Sequence, residues 1–449
     1  MSRDKNFLDY LIDPDRSTSH GSSEFAGFWE QKKLLKKSHS GIYIANDLRL
    51  KPEFQHLILL SPTGGGKTTK FILNNALRAW GKNNSLLFFD PSGEIHRLSA
   101  DWLRRKQKFK IVKIDLTNLD GEKYNPLSQI TDKSSARIVA QSLINAVYEN
   151  ANNDPFWTES SISVLTLVII AVVNKIPLEN RNLAFVNRLV NKFGHSEEEI
   201  NSLMELALNE DDFEEYASFL SNSVKVKQSI IATVKSALYI YSDDVLKKIC
   251  SESSFDLAEL RTKKTALFLI QEEHKIPYFK GFWSLFFRQI FESLMTSSEG
   301  NDVYCFMDEF ANFGMIPDME TIISVIRKKR VHLSLILQSL EFLSSVYGKE
   351  KAKIIFENCN SKMFLSGLSH ESAKIVSDML GHTTESYSAK GLFKRNQPLQ
   401  RISRNLLTPE EVRTLDEKYC LLIHGNHKPM KLKMKAFYQN RTLKKRSKL

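Results

Sequence analysis

A chain of 449 residues with 42% hydrophobic content can bury one very large core or two ordinary ones, which excludes a disordered or fibrous class. The net charge of +11 is uneven: nine basic and no acidic residues lie from Lys428 to Leu449, leaving about +2 for residues 1–427. The cysteines Cys250, Cys305, Cys359 and Cys420 are far apart with no C-x-x-C, so buried, reduced thiols are expected rather than a disulfide framework.

In chain order, residues 1–40 are polar and mixed, and MSRDKNFLDY has no apolar core of a secretory signal. A short strand, Gly41 to Ala45, comes first. Strands are then predicted at 57–61, 85–90 and 111–115, with a helix from Thr69 to Trp80 after the first of them. From about 133 to 260 the pattern is helical. Strands return at 265–270, 303–308, 332–337, 362–366 and 420–424. Such alternation predicts an α/β fold with a mainly parallel, doubly wound sheet and an all-α domain inserted in it. The expected divisions are 1–40, an N-terminal polar segment; 41–132, the first part of a nucleotide-binding domain; 133–262, the inserted domain; 263–427, the second part; and 428–449, a basic tail.

The apolar run Val164 to Val173 is about half a membrane span and reads as a buried helix. Between Ser196 and Tyr216 there are nine acidic residues and no basic one, either a solvated helix face or a docking surface for a basic protein. The tail starts β-like, with Lys431, Lys433 and Lys435 alternating with apolar residues. It then reads as a loose end, suited to phosphates or anionic lipid, or simply solvated over the last eight residues.

Two strand ends carry the chemistry. Leu57-Ile58-Leu59-Leu60 runs into Ser61-Pro62-Thr63-Gly64-Gly65-Gly66-Lys67-Thr68. Consecutive glycines let backbone N–H groups face an anion, Lys67 can reach β/γ-phosphates, and Thr68 can ligate Mg²⁺. Ser61 stands where the phosphate-loop pattern has its first Gly. The expected nucleotide contacts are Thr63, Gly64, Gly65, Gly66, Lys67, Thr68 and Thr69. Far downstream, Val303 to Met307 leads into Asp308-Glu309. Asp308 can share the Mg²⁺ with Thr68, and Glu309 can act as general base on water. Together these predict binding and hydrolysis of a nucleoside triphosphate. Another strand ends at Asp90, and another at Gln338, which either senses the γ-phosphate or caps the next helix.

With these motifs in view, the chain resembles the conjugation coupling ATPases, the TraG/TraD-like family of type IV secretion. His20-Gly21-Ser22-Ser23-Glu24-Phe25-Ala26 is similar to the family's H-G-S-A-x-x-A, and Asp90-Pro91-Ser92-Gly93-Glu94 to D-P-K-G-E with Ser92 in place of Lys. Asn125-Pro126-Leu127 matches N-P-L, and the most specific match is Asp308-Glu309-Phe310-Ala311-Asn312-Phe313-Gly314 followed by Ile316-Pro317. Tyr347-Gly348, Leu380-Gly381 and Leu407 to Val412 also fall at family-like places. The resemblance implies a RecA-like P-loop motor using ATP, in a ring of six with nucleotide between subunits. Arg327 falls at a family position for an arginine finger acting in trans. The sequence alone also reads Arg327-Lys328-Lys329-Arg330 as cations ending a helix, or as a grip on DNA phosphates. Family members usually begin with transmembrane helices. Only 19 residues precede His20, so recruitment by a membrane-anchoring partner, or soluble action, is expected.

The resulting expectation is an ATP-hydrolysing coupling protein at the cytoplasmic face of the cell membrane. It would drive single-stranded or relaxosome-bound DNA, with its relaxase, into a type IV secretion channel. The catalytic set is Lys67, Glu309, Gln338 and Arg327; Thr68 and Asp308 hold Mg²⁺; the inserted domain recognises the relaxase. The rivals are a nucleotide-dependent adaptor with little turnover and a DNA translocase outside secretion.

Overall fold

The computed structural model describes residues 21–53, 56–148, 155–296, 299–387 and 400–449. Its centre is a nine-stranded sheet. The strands are β1 (Leu57–Leu60), β2 (Asn84–Asp90), β3 (Lys110–Asp115), β4 (Thr265–Ile270), β5 (Asp302–Met307), β6 (Val331–Leu337), β7 (Ser361–Phe364), β8 (Tyr419–His424) and β9 (Met430–Lys433). The order is β9-β8-β7-β1-β6-β5-β2-β4-β3. Every pairing from β7 to β3 is parallel, while β8 and β9 add an antiparallel edge.

The sheet is covered on both faces, which is why its central strands are unbroken apolar runs rather than alternating ones. Ile58, Leu60, Leu87 and Phe89 point into one core, and Leu57, Leu59, Leu86 and Phe88 into the other. Phe88 stacks between Phe268 and Phe306, at centroid distances of 5.1 and 5.2 Å, tying the β4, β2 and β5 strands together.

The helical insertion leaves after β3 and returns to β4, its direct neighbour in the sheet. It comprises α1 (Lys133–Tyr148), α2 (Pro155–Lys175), α3 (Leu183–Asn191), α4 (Glu197–Ala207), α5 (Glu210–Ser221), α6 (Val224–Leu238) and α7 (Asp244–Ile249). Among the described residues only α2 is long and apolar enough to cross a membrane, and Val164 to Val172 along it are buried in the core. The insertion packs on α8 (Ile276–Thr296), and the Asn125-Pro126-Leu127 motif forms the joint. Asn125 Oδ1 accepts from Leu127 N (3.0 Å), and its amide donates to Arg181 O (2.6 Å). Gln289 on α8 donates to Pro126 O (2.9 Å) and accepts from the Tyr124 hydroxyl (2.7 Å).

Other motif pieces meet across the chain. Ser22 bridges to Thr383, and Ser23 N donates to His382 O (2.9 Å). Gly381, at φ +76°, lies where a Cβ would come within 2.6 Å of Ser23 Oγ. His20 lies outside the described residues.

Two expectations need correction. The helix expected from Thr69 to Trp80 ends earlier: a wide-turn segment, Lys67–Ile72, passes into a short α-helix, Leu73–Ala76. Asn74 and Asn75 are buried there, and Asn75 accepts from Tyr43 N (2.7 Å) and donates to Tyr43 O (3.2 Å), pinning the helix to the short strand Tyr43–Ala45. The last eight residues do not form a loose end. Asn440 caps a helix, Arg441–Arg446, by accepting from Thr442 N (3.0 Å), and Leu443 is buried. Seven of the nine acids in the acidic stretch are exposed, as on a solvated face, while Lys133 pairs with the buried Asp212 (2.5 Å) and with Glu215 (2.8 Å).

Candidate nucleotide site

The loop after β1 turns through Gly64 (φ +77°) and Gly66 (φ +90°), a left-handed backbone that favours glycine. Ser61 is accommodated by Gly65, since a Cβ there would meet Ser61 Oγ at 2.4 Å. Ser61 N donates to Leu337 O (3.0 Å), so the parallel ladder to β6 continues into the loop. Lys70 folds back and donates to Gly65 O (3.2 Å) and to Glu417 O (3.1 Å), bracing the loop from outside. Thr69 Oγ1 donates to Gly66 O (3.4 Å), and Thr63 is exposed at the loop tip.

Parallel strands end on the same side, so the polar residues after β1, β6, β5, β2 and β4 line one rim. Thr68 Oγ1 donates to Asp308 Oδ2 (3.2 Å). Lys67 Nζ forms an ion pair with Glu309 and lies 3.9 Å from Asp308 Oδ1. Gln338 Nε2 donates to both Glu309 oxygens, at 3.0 and 3.1 Å. Gln338 is therefore not the cap of the next helix; Ser339 takes that place by accepting from Phe342 N (3.2 Å). Glu309 itself sits in a left-handed backbone (φ +54°), a conformation costing roughly 1–3 kcal/mol for a residue with a Cβ.

The apolar residues after Asp308-Glu309 hold that turn in place. Phe313 packs on Phe89 and Phe287, both at 4.7 Å. Phe310 stacks on Tyr347 (5.7 Å, 9° between planes), whose hydroxyl accepts from Ile316 N (3.1 Å). The family-like Tyr347-Gly348 is thus a buttress for the acidic pair.

Burial raises Asp308 to about 6 against the opposing pull of Lys67 and Thr68, and burial lowers Lys67. Asp90, fully buried at the tip of β2, is likewise raised to about 6 by burial, with Asp308 adding to it; its Oδ2 accepts from His96 N (2.8 Å). Among the described residues, Asp308 Oδ1 and Asp90 Oδ1 are buried and accept no hydrogen bond. Two such carboxylate oxygens, a Thr hydroxyl and a Cβ-free loop fit a Mg²⁺-bound triphosphate.

Arg327 is not brought to this site within one chain. It is exposed beyond the helix Met319–Ile326 and acts electrostatically on His56, where β1 begins, the end of the strand opposite the phosphate loop. Two rim residues escaped the sequence reading. Gln271, directly after β4, is fully buried with neither amide atom partnered among the described residues, and Glu273 acts electrostatically on both Lys67 and Asp308. The signal was available: both follow an apolar strand, as Asp90 and Gln338 do.

The parallel sheet, its polar rim and the glycine loop opening a helix define a RecA-like P-loop fold with an all-helical insertion. Residues 16–448 match the family described as Type IV secretory system Conjugative DNA transfer, and the chain belongs to that family. It is similar to the protein VirD4 of Rhizobium radiobacter, 25% identical over 425 residues, covering 90% of this chain and 59% of the relative. It also resembles the conjugal transfer protein TraG of Escherichia coli, 22% identical over 457 residues, covering 92% and 68%. The chain therefore spans about three-fifths of that VirD4. Among solved structures, the plasmid coupling protein TrwB in complex with ADP and Mg²⁺ superimposes with a TM-score of 0.70 at 15% identity, covering 92% of this chain and 94% of that one. An unbound form of the bacterial conjugative coupling protein TrwB gives 0.71 at 16%, covering 92% of each.

Proposed function

We propose that the chain hydrolyses ATP with Mg²⁺ and works as the coupling motor of conjugative DNA transfer. The observation that carries this reading is the linked set Thr68–Asp308 and Lys67–Glu309–Gln338 on one sheet rim. Bound Mg²⁺ would neutralise charge on the β- and γ-phosphates. Thr68 and Asp308 are the residues that would hold it, with Asp90 beside them. Lys67 now neutralises Glu309. A phosphate in the loop competes for Lys67, and its turning away frees the carboxylate to accept a proton from water. Gln338, bonded to both carboxylate oxygens, keeps Glu309 aimed while Lys67 leaves.

Family membership and the likeness to VirD4 and TraG support conjugative transfer as the setting. In this reading the chain works as a homo-hexamer at the cytoplasmic face of the cell membrane, with Arg327 completing the site of a neighbouring subunit. Its partners are DNA, a relaxase bound by the helical insertion, channel components and a membrane-anchoring protein. The test is ATP turnover by the purified protein with and without single-stranded DNA, alongside binding of a relaxase to the intact chain. DNA-stimulated turnover with relaxase binding supports the coupling motor. Relaxase binding without turnover at any DNA concentration overturns the motor in favour of an adaptor. Turnover without relaxase binding favours a translocase outside secretion.

A further inference from the structure

Outside the nucleotide site, the helix that starts at the phosphate loop ends in a crowd of guanidinium groups. Arg446 donates to Leu77 O (2.8 Å) and Arg49 to Ala79 O (3.0 Å), capping the last carbonyls. Arg78 lies between them with its guanidinium over the Tyr43 ring (3.9 Å), and Asp47 is its ion-pair partner (2.5 Å). Arg78 Nε is buried with no hydrogen-bond acceptor among the described residues. The charge of Arg78 is felt at both Arg49 and Arg446, and Arg49, chiefly through burial, is held at about 9.

Two cavities, of about 410 and 270 Å³, open onto Arg78 and share Tyr43 and Asp47. Lys37 and Arg446 line the first; Lys433 and Lys435 line the second. Lys37, Lys433 and Lys435 are exposed and form no ion pair among the described residues. One carboxylate, Asp47, thus stands among six lining cations, Lys37, Arg49, Arg78, Lys433, Lys435 and Arg446, so the cavities suit an anion.

Lys37 also borders a groove beside the helix Phe28–Leu34. Phe28 and Trp29 on that helix are each 64% exposed, with Lys32 Nζ over both rings at 4.2 and 4.6 Å. Lys33 and Lys36 are exposed beside them. The nearby acids Glu24 and Glu30 are both engaged by Lys428 (2.5 and 2.7 Å), leaving the surface basic. A Trp–Phe pair among lysines, next to a cationic cavity, has the composition of a protein face that lies in a lipid headgroup layer.

We propose that this face docks on an anionic phospholipid bilayer, the Arg78 cavity taking a headgroup phosphodiester and Phe28 and Trp29 entering the interface. A headgroup phosphate meets the cations that outnumber Asp47 around the two cavities, and the aromatic pair supplies apolar area that soluble phosphate would not use. This inference goes beyond the nucleotide chemistry and does not depend on it.

The experiment is co-sedimentation of the full chain with vesicles of phosphatidylcholine alone and of phosphatidylcholine with phosphatidylglycerol, at low and high salt. Salt-sensitive binding only to the phosphatidylglycerol vesicles is expected. Lys37→Gln with Lys433→Gln, both at exposed positions, should weaken it about fivefold per cation removed. Phe28→Ser with Trp29→Ser should also weaken it, and Arg78→Gln should do so without loss of cooperative melting. Glycerophosphoglycerol in solution should compete poorly. Equal binding to both vesicle types, or none to either, overturns the proposal. So does a result in which the same variants lose oligonucleotide binding or self-association while vesicle binding is unchanged.

Discussion

Asp90 shows what a buried carboxylate at the sheet rim costs the fold. It is fully buried, burial raises it to about 6, and one of its oxygens has no hydrogen bond among the described residues. Between its unfolded value of 3.8 and about 6, the folded state binds the extra proton, so this group's effect on stability worsens as pH rises through that window. Asp90→Asn keeps an acceptor for His96 N and removes the buried charge. It should match the native protein near pH 4 and exceed it by up to roughly 3 kcal/mol at neutral pH. Urea denaturation midpoints at the two pH values check this; an equal difference at both would mean the carboxylate is not the source. Lys67, Thr68, Asp308, Glu309 and Gln338 were all legible, because each follows an apolar run at a spacing with known chemistry. Lys70 was not, since a lysine within a helix gives no hint that it folds back onto Gly65 O. Nor was the reason Ser61 is tolerated, which lies in the missing Cβ of Gly65.

At the scale of elements, the strands were readable because a sheet covered on both faces needs unbroken apolar runs. Helix ends were less so. The phosphate-loop helix stops early where Asn74 and Asn75 spend their amides on the tail carbonyl of Lys435 and on Tyr43, long-range partners that no local pattern announces. The tail helix was hidden by its charge. A segment of Arg, Thr, Leu and Lys offers a single apolar anchor, Leu443, and depends on Arg446 lying over Trp102 at 4.1 Å. Leu443→Ala should cost about 2–3 kcal/mol in denaturant unfolding. A change below about 0.5 kcal/mol would show that the tail adds nothing to the core.

For the whole molecule, the fold gathers the polar loop residues at one rim, hangs the helical insertion between adjacent strands β3 and β4, and runs from β4 through Gln271 to Lys275 into α8. That route joins Glu273, which acts on Lys67 and Asp308, to the helix on which the insertion rests. Arg327 belongs to this scale too, since it stands away from its own chain's site. If it completes a neighbour's site, Arg327→Ala should lower turnover roughly 10³-fold or more. Mixing it with Glu309→Gln protein should restore part of the activity, because some shared sites then hold both native residues. Full turnover by Arg327→Ala alone would leave Arg327 as a cation ending its helix.

In the proposed mechanism Glu309 is the base of an ATP-hydrolysing site rather than a structural partner of Lys67. The most direct measurement sets Mg²⁺-dependent ATP binding beside ATP turnover in Glu309→Gln. Binding at least as tight as native is expected, since Lys67 is released, with turnover reduced roughly 10²–10⁴-fold. Native turnover in this variant would contradict it.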